Sequence, residues 1–198
     1  LSLTSINLIS AEEKFQRLTN FYTADYSTPS NYRINMDGLV TNIVFRDESI
    51  PSYTQLFRNG VIEAVNHFLL SQENNGDLII PSVKFEKAVM DTCSALLGFQ
   101  REAGVEPPIV IFLTLVGVKN YQMHLGTEYL QRRRPIGPIR LIDREVIQTP
   151  DVLVEDYDTN VLHTLLRPIF DVVWNAAGWV QSNNYDENGN WSDKRQGR

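Results

Sequence analysis

The chain has 198 residues, 42% of them hydrophobic and 21% charged, which is enough apolar material for a core and excludes the disordered class. Eighteen basic residues against 24 acidic leave a formal charge of −6, so direct nucleic-acid binding by this chain is not expected, because such binding rests on Lys and Arg neutralising phosphates. The single cysteine, Cys93, allows no internal disulfide. The first residue is Leu1 rather than Met, which suggests a piece of a longer protein. No secretory signal is visible at the start, and a cytoplasmic location is expected. The longest apolar run, residues 109–118, is about half of what a bilayer-spanning helix needs, so no membrane association is expected.

In chain order, Ser10-Ala11-Glu12-Glu13 fits a capping box and predicts a helix over residues 11–21. Residues 23–31 are rich in Ser, Thr, Pro and Asn and read as a loop. Residues 32–45 read as two strands joined by a tight turn at Asp37-Gly38. Residues 53–57 and 61–65 form a second hairpin across Asn59-Gly60, the strongest such signal in the chain. The imperfect alternation of the first of these strands predicts burial on both sides. Residues 72–77 are a polar loop, and Ser82 caps a helix whose apolar stripe is Phe85, Val89, Cys93 and Leu96, widened by Ala88, Thr92 and Leu97. Gly98 weakens the end of that helix and Gly104 stops it.

Residues 109–116 read as a buried central strand, residues 121–125 as its continuation or return, and residues 139–141 and 145–147 as further short strands. The last helix starts near Asp158 or Thr159. Pro168 interrupts its apolar face, so it kinks the helix or begins a second one, and Gly178 ends it. Hairpins between helices exclude a doubly wound sheet. The expectation is α+β, an antiparallel or mixed sheet with helices packed mainly on one face. The whole of residues 1–198 is read as one domain, with 1–30 a variable lead-in and 192–198 a frayed tail.

No catalytic motif stands out, and neither a metal nor a cofactor is called for. His67, His124 and His163 lie far apart in the chain, without the spacing of a paired metal site. Cys93 falls mid-helix on an apolar face, the setting of a structural thiol rather than a nucleophile. Asp151, Glu155, Asp156 and Asp158 are a candidate hard-cation cluster, weighed against a solvated acidic edge. Asp186-Glu187-Asn188-Gly189-Asn190 superficially matches a calcium loop, but its glycine stands fourth instead of sixth. Arg132-Arg133-Arg134 is the only basic run. It suits an acidic partner or phosphate, weighed against a solvated loop, and Arg58, Arg140 and Arg144 extend it if the strands bring them together.

Four stretches carry a family likeness. They are Tyr53-Thr54-Gln55-Leu56-Phe57-Arg58-Asn59-Gly60-Val61-Ile62-Glu63-Ala64-Val65; Pro107-Pro108 leading to Gly117-Val118-Lys119-Asn120-Tyr121; Ile142-Asp143-Arg144-Glu145 through Val154-Glu155-Asp156; and Leu166-Arg167-Pro168-Ile169-Phe170-Asp171 with Trp174-Asn175-Ala176-Ala177-Gly178-Trp179. Together they resemble the C-terminal region of modular bacterial proteins that carry an N-terminal Schlafen-type AlbA-like nucleic-acid-binding domain. The likeness runs over roughly residues 32–191. It implies a non-catalytic accessory or sensor domain that binds a ligand or partner and regulates an attached nucleic-acid-binding module. It supplies no catalytic residues. The candidate binding residues are Arg58, Arg132, Arg133, Arg134 and Arg144, with Tyr53 and Tyr121. Two alternatives stay open. One is a metal-dependent hydrolase using Asp143, Glu155, Asp156 and His163. The other is a dimerisation domain, a homo-oligomer formed through an apolar last helix with Trp179 and Trp191 beyond it.

Overall fold

The computed structural model describes residues 31–43, 52–67, 69–72, 76–125 and 140–192. These residues form an α+β arrangement of mostly antiparallel strands with helices. They fall into two compact units, one drawn from Leu1–Leu69 and Asp91–Glu106, the other from Leu70–Met90 and Pro107–Arg198. The helix expected at residues 11–21, the Arg132-Arg133-Arg134 run and the end of the tail lie outside the described residues.

In the first unit, β1 (Asn31–Ile34), β2 (Gly38–Ile43), β3 (Ser52–Phe57) and β4 (Ile62–Asn66) make an antiparallel sheet in sequence order. The first turn is wider than the two-residue turn that Asp37-Gly38 suggests. Ile34 pairs with Leu39, and the Asn35 carboxamide oxygen accepts from the backbone N–H of Asp37 and Gly38. An Asx turn at Asn35 therefore sets the geometry, and Gly38 is needed for a different reason. It passes so close to the next strand that a Cβ would lie 2.0 Å from the Leu56 carbonyl oxygen, at a φ of +154°.

The second hairpin is present as read from Asn59-Gly60. Phe57 N–H donates to Val61 C=O, and Gly60 closes the three-residue loop at φ 87°. That is the three-residue hairpin with glycine in the left-handed region. β3 is covered on both faces, as its broken alternation predicts: Ser52, Thr54, Gln55 and Leu56 are all buried. The long helix α1 (Ser82–Glu102) contributes its second half to this unit. Leu39, Leu56 and Phe99 form the buried core, flanked by Ile62, Leu96 and Ala103. Gly98 does not end α1. Gly104 does, at φ 77°, with its N–H on Arg101 C=O and Val105 N–H on Gln100 C=O, the paired bonds of a Schellman stop.

In the second unit, β5 (Ser71–Gln72), β6 (Leu78–Pro81) and β9 (Gln122–His124) form a sheet in the order β5-β6-β9, and β6 runs parallel to β9. Ile79 and Ile80 are buried in it, and this strand was not expected from the sequence. Nor is residues 109–116 a buried central strand. It breaks at Phe112-Leu113 into β7 (Ile109–Ile111) and β8 (Thr114–Val116), which pair antiparallel with β11 (Val152–Val154) and β10 (Val146–Gln148). Two-stranded antiparallel ladders can leave one face in water. Here Leu115, Ile147, Val152 and Val154 point inward, while Val110, Phe112 and Val116 point out, Phe112 being 70% exposed. Arg140 and Leu141, expected in a strand, lie in a loop.

The last helical stretch begins as a 3₁₀ turn over Thr159–Val161, where Asp158 Oδ1 accepts from Asn160 N–H. It continues as α2 (Leu162–Leu165) and α3 (Arg167–Ala176). Pro168 starts the second helix rather than kinking one, which its missing donor permits in a first turn. Gly178 ends α3 at φ 76°. The apolar face of α3 is not left open for another chain: Ile169, Phe170, Val173 and Trp174 are all fully buried. Phe170 meets Phe85 of α1 edge-on, with centroids 6.1 Å apart.

The two glycines Gly38 and Gly98 predict opposite outcomes. Gly38→Ala should cost about 2–4 kcal/mol, from overpacking and left-handed strain. Gly98→Ala, in a helix with nothing within 4 Å of the new methyl, should stabilise by about 0.5–1 kcal/mol. Urea unfolding of the two variants checks both signs.

Candidate functional site

A loop with one buried anchor builds the site. Ile142 is fully buried and tied on both sides: Asn120 N–H donates to its carbonyl at 2.8 Å, and its own N–H donates to Tyr121 C=O at 2.8 Å. Its neighbours Arg140, Leu141, Asp143 and Arg144 are exposed. Together with β10 and α3, this loop lines an open cleft of about 920 Å³, within the range of ligand clefts. Val146, Ile147 and Gln148 of β10 line one wall. Val172, Asn175 and Ala176 of α3 line the opposite one, and Arg140, Asp143 and Arg144 stand at the loop side.

The two arginines are held differently. Arg140 donates from Nη1 to Gly178 C=O, and its guanidinium carbon lies 5.5 Å from the centroid of the Trp179 ring. Gly178 is required here, because a Cβ would come within 2.7 Å of the Arg140 side chain. Arg144 is exposed, and its Nε lies 3.8 Å from Asp143 Oδ1. An exposed pair of that kind contributes little to stability. Among the described residues two cations and one anion line the cleft, a locally positive lining on an acidic chain.

Behind α3 sits a feature that sequence reasoning missed. Glu86 of α1 is fully buried. Its Oε1 accepts from Trp174 Nε1 at 2.7 Å and from Ser182 Oγ at 2.6 Å, and its Oε2 accepts from Trp191 Nε1 at 2.7 Å. Asn184 lies beside the same carboxylate and favours its charged form, although its Nδ2 does not reach hydrogen-bond geometry. Neutral donors hold this acid, and desolvation outweighs them, so its pKa is raised. The signal in the sequence was a glutamate inside the apolar stripe, between Phe85 and Val89. From Trp174 the contacts run on to the cleft. Trp174 and Trp179 meet edge-on at 5.8 Å, and Trp179 carries Arg140.

The other candidate residues are placed as follows. Arg58 sits at the β3–β4 turn of the first unit and donates through Nε to Met36 C=O at 3.1 Å. It stitches two loops of that sheet. Tyr53, in the same unit, donates to Glu63 Oε1 at 2.5 Å, and that bond pushes its pKa up to about 12. Tyr121 is half-buried near the base of the Ile142 loop. Among the described candidate residues Asp143 and Arg144 line the cleft, joined by Arg140.

Glu155, Asp156 and Asp158 are exposed, and Oδ1 of Asp156 and of Asp158 accepts from the N–H of Asp158 and of Asn160, respectively. Asp186 likewise closes its own turn, accepting from the N–H groups of Asn188 and Asn190; the Asn190 bond leads in lowering its pKa. Among the described residues no group of three or more His, Cys, Asp or Glu side chains is placed to hold an ion. Burial pushes the Cys93 thiol up to about 12, away from the thiolate that nucleophilic chemistry needs. No described helix is long and apolar enough to cross a membrane. Comparison with protein-family models, with curated proteins and with solved structures finds no match.

Glu86 makes a pH prediction with a definite sign. Its folded pKa lies above the ordinary glutamate value of 4.5, so the folded state binds its proton more tightly than the unfolded chain. The stability this contributes is fully present below pH 4.5, falls as pH rises through the raised pKa, and is flat above it. Glu86→Gln removes that slope. Unfolding free energies measured across this window should show wild type losing ground to the variant as pH rises, and parallel curves would contradict the assignment.

Proposed function

We propose that this chain is a non-catalytic accessory or sensor domain that binds a ligand or partner in the cleft between β10, α3 and the Ile142 loop, and that this binding regulates an attached nucleic-acid-binding module. The single observation that carries the reading is the placement of Arg140 and Arg144 together on one cleft of an otherwise acidic chain. Arginine presents a planar fork of donors suited to carboxylates and phosphates. Arg140 is already oriented by Gly178 and Trp179, so little side-chain freedom is lost when an anion arrives. The resemblance to the C-terminal region of Schlafen-type AlbA-like proteins supports the regulatory half of the reading.

The test is purification of the full-length protein with mass spectrometry of bound small molecules and proteins, repeated with Arg144→Glu. Arg144 is exposed and its loss leaves the core intact. The charge reversal should lower recovery of the bound species by about tenfold or more, with an unchanged unfolding midpoint. Equal recovery from both proteins would remove the cleft from consideration.

A further inference from the structure

We infer that the cleft takes an extended peptide segment, added as a strand to the outer edge of β10, with a carboxylate of that segment meeting Arg140 and Arg144; this rests on the reading of the cleft as the binding surface. The register of the ladder fixes which backbone groups are on offer. Gly117 N–H donates to Glu145 C=O, and Thr149 N–H donates to Leu113 C=O. Ile147 stands opposite Leu115. Residues 145, 147 and 149 therefore bond across to β8, and the alternation of an antiparallel pair turns the N–H and C=O of Val146 and Gln148 the other way.

Among the described residues β10 pairs with β8 alone, and both Val146 and Gln148 are exposed and line the cleft. An exposed edge with alternate free donors and acceptors is a template for a further strand. Main-chain bonds then give affinity and flanking side chains give selectivity. The cleft lining also includes Val172 and Ala176 of α3, both small and apolar. A strand seated in the cleft would turn alternate apolar side chains toward them. The charged groups at the loop side, Arg140 and Arg144 against Asp143, select an acidic segment over a basic one.

The probe is a displayed library of random eight-residue peptides, selected against the whole chain, with succinate as a separate small-anion arm. Selected peptides should carry an acidic residue among apolar ones and should protect the Val146 and Gln148 amides from hydrogen exchange. Arg144→Glu should weaken them by about tenfold or more. Gln148→Pro deletes an outward N–H without deleting a ladder bond, and should weaken binding by about tenfold, while Gln148→Ala, which keeps that N–H and loses only the side chain, should weaken it less. Selected peptides without acidic preference, or equal behaviour of the Pro and Ala variants, overturn the inference. If succinate perturbs the Arg140 and Arg144 resonances but no peptide protects the β10 edge, strand addition fails and the cleft stands as an anion site. If neither succinate nor any selected peptide perturbs residues 140–148, the reading of the cleft fails with it.

Discussion

A carboxylate buried without a cation is the constraint on which the second unit depends. Glu86 is removed from water on α1, and it is met by two indole N–H groups and one hydroxyl. Burying an acid is costly unless its lone pairs are satisfied. Three donors satisfy most of them, and they come from two places: Trp174 from α3, Ser182 and Trp191 from the segment that follows it. One side chain thus ties that helix to the segment that follows it. Neighbouring bonds reinforce the same arrangement. Asp171 Oδ1 accepts Ser182 N–H at 2.8 Å, and Tyr185 donates to His163 C=O at 2.5 Å. Burial, with the Glu86 charge next, raises the Tyr185 pKa, so its hydroxyl stays a donor.

This anchoring matters for the cleft because α3 is one of its walls. The helix shows Trp174 to Glu86 and Asn175 and Ala176 to the cleft, so the rotation of α3 is set from behind. The same tryptophan packs on Trp179, which carries the Arg140 guanidinium. The Arg140 guanidinium is thereby held through packed rings rather than through a surface ion pair. Arg144 is instead exposed beside Asp143, its Nε 3.8 Å from Asp143 Oδ1.

Local signals were legible in the sequence and non-local ones were not. Asn59-Gly60, Gly104, Asp158, Pro168 and Gly178 each announced a turn, a cap or a stop, because their effect depends on backbone conformation within a few residues. Asp37-Gly38 marked the right place with the wrong turn, since the Asn35 side chain, two residues earlier, competes for the backbone N–H groups. Residues 109–116 misled because an apolar run broken only by Thr114 looks the same whether it is buried on both faces or leaves Phe112 in water. The parallel pairing of β6 with β9 joins residues more than 40 apart and has no local signature. At the site, Arg144 was legible as a candidate and Arg140 as its extension. Their convergence depends on Ile142, and Glu86 was concealed as one acid in a helix stripe.

The most direct test is a double-mutant cycle between Glu86 and Trp174. All three tryptophans lie in the second unit, so urea unfolding of the full chain followed by indole fluorescence reports on it, and Trp174→Phe leaves two reporters. The account predicts that Glu86→Gln and Trp174→Phe are coupled by about 1–3 kcal/mol, the worth of a buried hydrogen bond to a carboxylate. Additivity within about 0.5 kcal/mol would mean that the indole and the acid do not hold each other, and that something else sets the helix against the cleft.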